Sequence, residues 1–281
     1  MPTAWQHSVM RLNTLESNLS ADSPNDWMGT SAQDLASAMV LAAGRGERMR
    51  PLTDHTPKPM LKVHGKPLMQ WHMEALAKAG HHDQLINTAW LGPQIESHFG
   101  LNPDLPEAGR VRLRYSHEGL DFGYALETAG GIVRALPSLA PVFWVVAGDI
   151  YAPGFDFSND SARKFEASDT LAHIWLVPNP AHNPGGDFGL SPDGLALNLP
   201  KPASLLTFST FALYKKEFFD HPFSGMPLGN PQGTAAPLAP LLRAAMDRGQ
   251  VGASLYMGPW TDVGTPERLR DLNQTPSPFK L

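Results

Sequence analysis

Short apolar runs ending at glycine or aspartate alternate with stretches of helical spacing along most of the chain. The first run, Ala38-Met39-Val40-Leu41, stops at Ala42-Ala43-Gly44-Arg45-Gly46, the pattern of a buried strand feeding a glycine-rich loop. Leu68, Trp71, His72, Ala75, Leu76 and Ala79 then recur at helical spacing, and Gly80 supplies a stop signal, which predicts a helix over 68–79. Residues 84–88 read as a second strand and 95–99 as a short helix. Residues 111–115 read as a strand whose alternation gives Arg112 and Arg114 a wetter face. A helix is expected over 128–136. Val142-Phe143-Trp144-Val145-Val146 is the most apolar strand candidate and ends at Gly148-Asp149. Strand, helix and strand in repeated order predict an α/β fold. Its sheet should be mainly parallel with helices on both faces, and its ligands should gather beyond the carboxyl ends of the strands, where Gly44 and Asp149 fall.

After Asp149 the pattern loosens. Strands near 171–177 and 206–214 bracket the Pro/Gly-rich stretch Asn179-Pro180-Ala181-His182-Asn183-Pro184-Gly185-Gly186-Asp187, where substrate loops are expected. A helix over 238–246, a strand over 252–257, and the junction Trp260-Thr261-Asp262-Val263-Gly264 before a helix from Pro266 complete the body. Residues 1–36 are polar and aperiodic and read as a poorly ordered extension. The body is expected over 37–272, with a tail over 273–281.

Composition narrows the function classes. The chain has 281 residues, 42% of them apolar and 17% charged, enough for a substantial core. Its net charge of −5 provides no broad cationic surface for nucleic acid or anionic lipid, so a phosphate ligand must be held by a few placed cations. There is no cysteine, which excludes disulfides, thiolate nucleophiles and cysteine-ligated zinc. No apolar run reaches the ~18 residues a bilayer span needs, and the N-terminus lacks the order of a secretory signal, so a cytoplasmic protein is expected. No heptad seam stands out, which leaves a monomer as the default expectation.

The segment from Leu41 to Thr53, followed by Pro57-Lys58-Pro59, combines small residues that let backbone approach a nucleotide with cations, Arg48 and Lys58, that its phosphates require. No Gly-Lys-Ser/Thr closes it as in a P-loop, and Arg48 takes the helix-packing glycine position of a dinucleotide fingerprint. The string resembles the signature of sugar-1-phosphate nucleotidylyltransferases. Further likeness lies in Leu126-Glu127-Thr128-Ala129-Gly130-Gly131, Gly148-Asp149, Asn179-Pro180 with Gly186-Asp187-Phe188, Thr207-Phe208-Ser209, and Trp260 to Leu269. It is strongest toward members of that family that uridylylate N-acetylmuramate 1-phosphate.

That resemblance implies a Rossmann-like nucleotidyltransferase fold with substrate-loop insertions. It also implies UTP and a sugar 1-phosphate as substrates and Mg²⁺ as cofactor. It assigns the metal to Asp149 and Asp262, and catalytic charge to Arg48 and Lys58. The nucleotide falls to Ala42, Ala43, Gly44, Gly46, Glu127, Gly130 and Ala147, and the sugar to Asn179, Asp187 and Gly131. Two carboxylates suit Mg²⁺, which takes one or two plus phosphates and water. Three positions depart from the family pattern: Ala147 stands where an Asn is usual, Pro178 where an Asp is usual, and Ala129 where a Gly is usual. Arg45 and Arg50 read as solvated, and His182 as a residue that could touch substrate. Two other readings stay open: a nucleotidylyltransferase acting on another sugar phosphate or an alcohol phosphate, and a non-catalytic nucleotide-sugar sensor.

Overall fold

A computed structural model describes residues 35–199 and 204–276. Seven strands form the central sheet: β1 (Ala36–Ala42), β2 (Asp83–Thr88), β3 (Arg112–His117), β4 (Leu139–Ala147), β5 (Ala172–Val177), β6 (Thr207–Lys215) and β7 (Val251–Leu255). Their order is β7-β5-β6-β4-β1-β2-β3. All neighbours run parallel except β6, which lies antiparallel between β4 and β5. The sheet is therefore mainly parallel, as the strand-helix alternation predicts.

The helices are α1 (Leu68–Lys78), α2 (Gly92–Phe99), α3 (Glu118–Phe122), α4 (Glu127–Ala135), α5 (Asn159–Glu166), α6 (Leu238–Met246) and α7 (Pro266–Gln274). Side chains of successive strand residues point to opposite faces, and the core divides accordingly. Met39, Phe143, Val145, Ile174 and Tyr214 pack with α4 and α6, whereas Val40, Trp144, Val146, Phe211 and Leu213 pack with α1, α2 and Phe165 of α5. Both faces of the sheet are covered, which explains why its central strands read as nearly unbroken apolar runs. No helix among the described residues is long and apolar enough to cross a membrane.

Two helices were not expected from the sequence. In α5 only Phe165 is buried, and the helix is started by the Ser158 hydroxyl accepting from Ser161 N–H, so no apolar period announces it. α3 is a five-residue turn of helix whose buried member is a glutamate. The limits of the body also shift. β1 already begins at Ala36, which is fully buried, and α7 runs to Gln274. Asn273 donates to the Lys62 carbonyl and accepts from His64 N–H, so residues 273–274 are folded structure and not tail. The rest of the expected extension and tail, 1–34 and 277–281, lies outside the described residues.

Trp144 is the largest fully buried side chain, packed edge-on against Phe155 and Phe157 and close to Trp175. Trp144→Ala should cost about 3–5 kcal/mol of stability through lost burial and a residual cavity. Chemical denaturation measures this, and a change below about 1 kcal/mol would contradict the packing described.

Candidate active site

The carboxyl ends of β1, β2 and β4 open onto a cleft of about 530 Å³ lined by Ala42, Ala43, Gly44, Gly46, Arg48, Lys58, Asn87, Glu127, Ala147 and Asp149. β1 delivers the chain into the glycine loop. Gly46 has φ +65°, and a Cβ there would meet Lys58 and Thr53 side-chain carbons at 3.1 Å, so this position requires glycine. Thr53, fully buried, donates through its hydroxyl to the Gly46 carbonyl at 2.8 Å. The Thr53 carbonyl accepts from Arg45 and from the Trp90 indole, both at 2.9 Å. Arg45 also stacks on Trp90 at 3.7 Å and pairs with Asp54, so it is a brace for the loop and not a solvated surface arginine. Arg50 does face solvent, paired with Asp54. The 3₁₀ turn Glu47–Met49 follows; Met49 is buried beneath it, while Arg48 stands exposed on the cleft wall with no ion-pair partner among the described residues.

Behind the loop lies a buried polar network absent from the sequence expectations. Ala42 N–H donates to Asn87 Oδ1 at 2.9 Å, and Asn87 Nδ2 donates to Glu118 Oε1 at 2.7 Å. Glu118 Oε2 accepts from Leu126 N–H at 2.7 Å. Burial pushes the Glu118 carboxyl above the usual carboxylate range, opposed by those two hydrogen bonds, which favour its charged form. The chain thus ties the end of β1 to the start of α4 and leaves Glu127 at φ +55°, a strained backbone for a side chain of its size, facing the cleft. The only signal in the sequence was an Asn inside an apolar strand.

The two acidic residues meet through a short ladder. Residues Ile150–Tyr151 pair antiparallel with Thr261–Asp262 in a register that sets Asp262 opposite Ile150, and Val263 N–H donates to the Asp149 carbonyl at 3.1 Å. Lys58, 7% exposed, lies between them: its Nζ is 2.6 Å from Asp149 Oδ2 and 3.9 Å from Asp262 Oδ1. Asp262 is steadied by Arg268 Nη1 at 2.9 Å and has His182 Nε2 at 3.3 Å. Two carboxylates therefore face the Lys58 ammonium from either side, and no group of three or more His, Asp or Glu able to hold a metal ion is found among the described residues. That donor set fits Mg²⁺, which takes its remaining oxygens from phosphate and water.

Several residues expected in the site have other work. The Ala42 N–H is committed to Asn87 and is not free for a nucleobase. Gly130 and Gly131, expected at ribose and sugar, line neither this cleft nor the pocket beside it. A Cβ on Gly130 would come within 2.4 Å of the Thr234 carbonyl, and one on Gly131 within 2.5 Å of Glu118, so both are glycine to let α4 pack closely. Asn179, expected at the sugar, donates to the Pro184 and Leu205 carbonyls and accepts from Thr207, which pins its loop. Asp187 borders a second pocket, but its carboxylate accepts from Phe208 N–H and Asn183.

The profile of the family described as Nucleotidyl transferase matches residues 37–190, more than half of the chain. The chain belongs to the nucleotidyl transferase family. It is 45% identical over 240 residues to an N-acetylmuramate alpha-1-phosphate uridylyltransferase of Neisseria meningitidis serogroup B, covering 83% of this chain and 95% of that relative. A protein of the same name from Caulobacter vibrioides is 30% identical over 82% of this chain and 92% of its own length. The fold is shared with HddC from Yersinia pseudotuberculosis complexed with GMP-PN, at a TM-score of 0.61 and 19% identity, over 84% of this chain and 97% of that one. In this nucleotidyltransferase the glycine loop, Arg48, Lys58 and Asp149 line one cleft, with Asp262 3.9 Å from Lys58, whereas Ala147 adds no polar side chain there.

Glu118→Gln would set an amide donor against Leu126 N–H or the Asn87 amide. It should lower the stability of the ligand-free protein by about 1–3 kcal/mol, read by urea denaturation; an unchanged midpoint would remove the network from the account.

Proposed function

We propose that this nucleotidyltransferase transfers a uridylyl group from UTP to a sugar 1-phosphate, N-acetylmuramate 1-phosphate, releasing pyrophosphate in the cytoplasm. The observation that carries the reading is the Lys58 ammonium set between Asp149 and Asp262 at the base of a cleft whose wall presents Arg48. The choice of UTP and of this sugar draws on the names of the Neisseria and Caulobacter relatives, each of which matches this chain over more than nine-tenths of its own length.

In the proposed reaction an oxygen of the sugar phosphate attacks the α-phosphorus of UTP in line. The new P–O bond forms as the bond to the β-phosphate bridging oxygen breaks, and pyrophosphate carries away the electron pair. The attacking phosphate is already anionic, so the site needs positioning and charge compensation, with no protein nucleophile. Arg48, with no anionic partner of its own, compensates the departing pyrophosphate. Lys58 compensates the attacking and α-phosphates, and its short contact to Asp149 aims it into the cleft. Asp149 and Asp262 would hold Mg²⁺, which supplies neutralisation of phosphate oxygen charge. Ala43, Gly44 and Gly46 offer close backbone approach to the nucleotide, and Glu127 faces the same space. The pocket that opens beside the cleft takes the sugar.

A pyrophosphate-release screen of nucleoside triphosphates against sugar 1-phosphates tests the assignment, with UTP and N-acetylmuramate 1-phosphate as the expected pair. Asp149→Asn and Asp262→Asn should each lower kcat by about 100-fold or more, and chelation should abolish a turnover that added Mg²⁺ restores. Turnover of a different pair would replace the substrate assignment. Binding of UTP with no pyrophosphate from any acceptor would make the protein a sensor.

A further inference from the structure

The second pocket, about 440 Å³, shares Leu41, Glu127, Thr128 and Ala147 with the cleft, so its contents lie next to the reacting phosphates. Most of its wall is apolar, from Val145, Phe188, Phe208, Leu238 and Leu242. Set into that wall are polar groups that the protein leaves without proper partners. Tyr214 is fully buried and its hydroxyl has no hydrogen-bond partner among the described residues. The Thr210 hydroxyl is likewise buried and unpartnered, on a residue held at φ +69°, an unusual backbone for a β-branched side chain. Buried polar groups are normally satisfied, and strained backbone tends to mark ligand sites.

Arg243 is the decisive member. Its guanidinium is fixed by the Asn198 side-chain oxygen at 2.6 Å and the Asp187 carbonyl at 3.3 Å, and rests over the Phe188 ring at 4.9 Å. These partners are all neutral, and no carboxylate among the described residues pairs with it; the carboxylate of Asp187 is turned to Phe208 N–H and Asn183. Two of the five N–H donors of an arginine are thereby used, and the others remain for a ligand. A held but uncompensated cation beside apolar walls is a site for an anion, and a carboxylate meets the guanidinium fork with two charge-assisted hydrogen bonds.

We propose that Arg243 pairs with a carboxylate on the acceptor sugar and is the residue by which this enzyme selects acidic sugar 1-phosphates over neutral ones. The inference rests on the sugar-phosphate uridylyltransferase reading above and deepens it. N-acetylmuramate differs from N-acetylglucosamine by a lactyl ether, whose methyl group suits Phe208, Leu238 and Leu242 and whose carboxylate suits Arg243.

The test compares initial rates with UTP and either N-acetylmuramate 1-phosphate or N-acetylglucosamine 1-phosphate, in the wild type, Arg243→Gln and Arg243→Lys. In Arg243→Gln the KM for the muramate compound should rise about 10- to 100-fold, the range for a lost hydrogen bond to a charged group. Its kcat/KM for the glucosamine compound should stay within about 3-fold of the wild type, and Arg243→Lys should recover part of the preference. Because both sugars are read in one variant, a folding defect lowers both rates and cannot imitate the effect. Equal losses on both sugars, with wild-type preference for the muramate compound intact, would overturn the role of Arg243 alone. A wild type that accepts only neutral sugars would overturn that role and the substrate assignment together.

Discussion

The candidate site depends on a ladder of two residues on each strand. Pairing of Ile150–Tyr151 with Thr261–Asp262 brings the end of β4 and the approach to α7 into register, and that register puts Asp262 beside Asp149 with Lys58 between them. Each carboxylate alone would be an ordinary loop residue. Together they face one ammonium, and Arg268 keeps Asp262 from turning away.

Around that point the fold divides labour between residues that meet ligand and residues that hold them. Arg48 has no counter-ion among the described residues, whereas Arg45, three positions earlier, is fully engaged by Trp90, Thr53 and Asp54. Glu127 faces the cleft, whereas Glu118, also a glutamate, is sealed behind it with both oxygens occupied. The sequence string does not separate these roles, because they follow from which side of the loop each side chain leaves.

The sheet and most of the helices were legible because a parallel sheet covered on both faces writes itself as apolar runs, and α1 and α6 carry clean helical spacing. The antiparallel β6 between β4 and β5 carries no local mark of its direction. The basic and acidic residues of the cleft were legible through their motif strings. The braces were not: Asn87, Glu118 and Trp90 are single polar or aromatic residues whose partners lie on other elements. Gly130 and Gly131 show a related ambiguity. A glycine that admits another backbone and a glycine that admits a ligand look alike until the neighbouring Thr234 carbonyl and Glu118 are in place. The second pocket draws on β4, β6 and α6, segments too far apart along the chain for any spacing rule to join.

The long reach of the Asp149–Asp262 ladder also bears on how the molecule assembles. Its two halves are separated along the chain by α5, β5, β6, α6 and β7. Closing so large a loop carries an entropic cost that only the finished sheet offsets. The acidic pair is therefore a long-range feature of the folded chain, held in place by the strands and helices that lie between its two members.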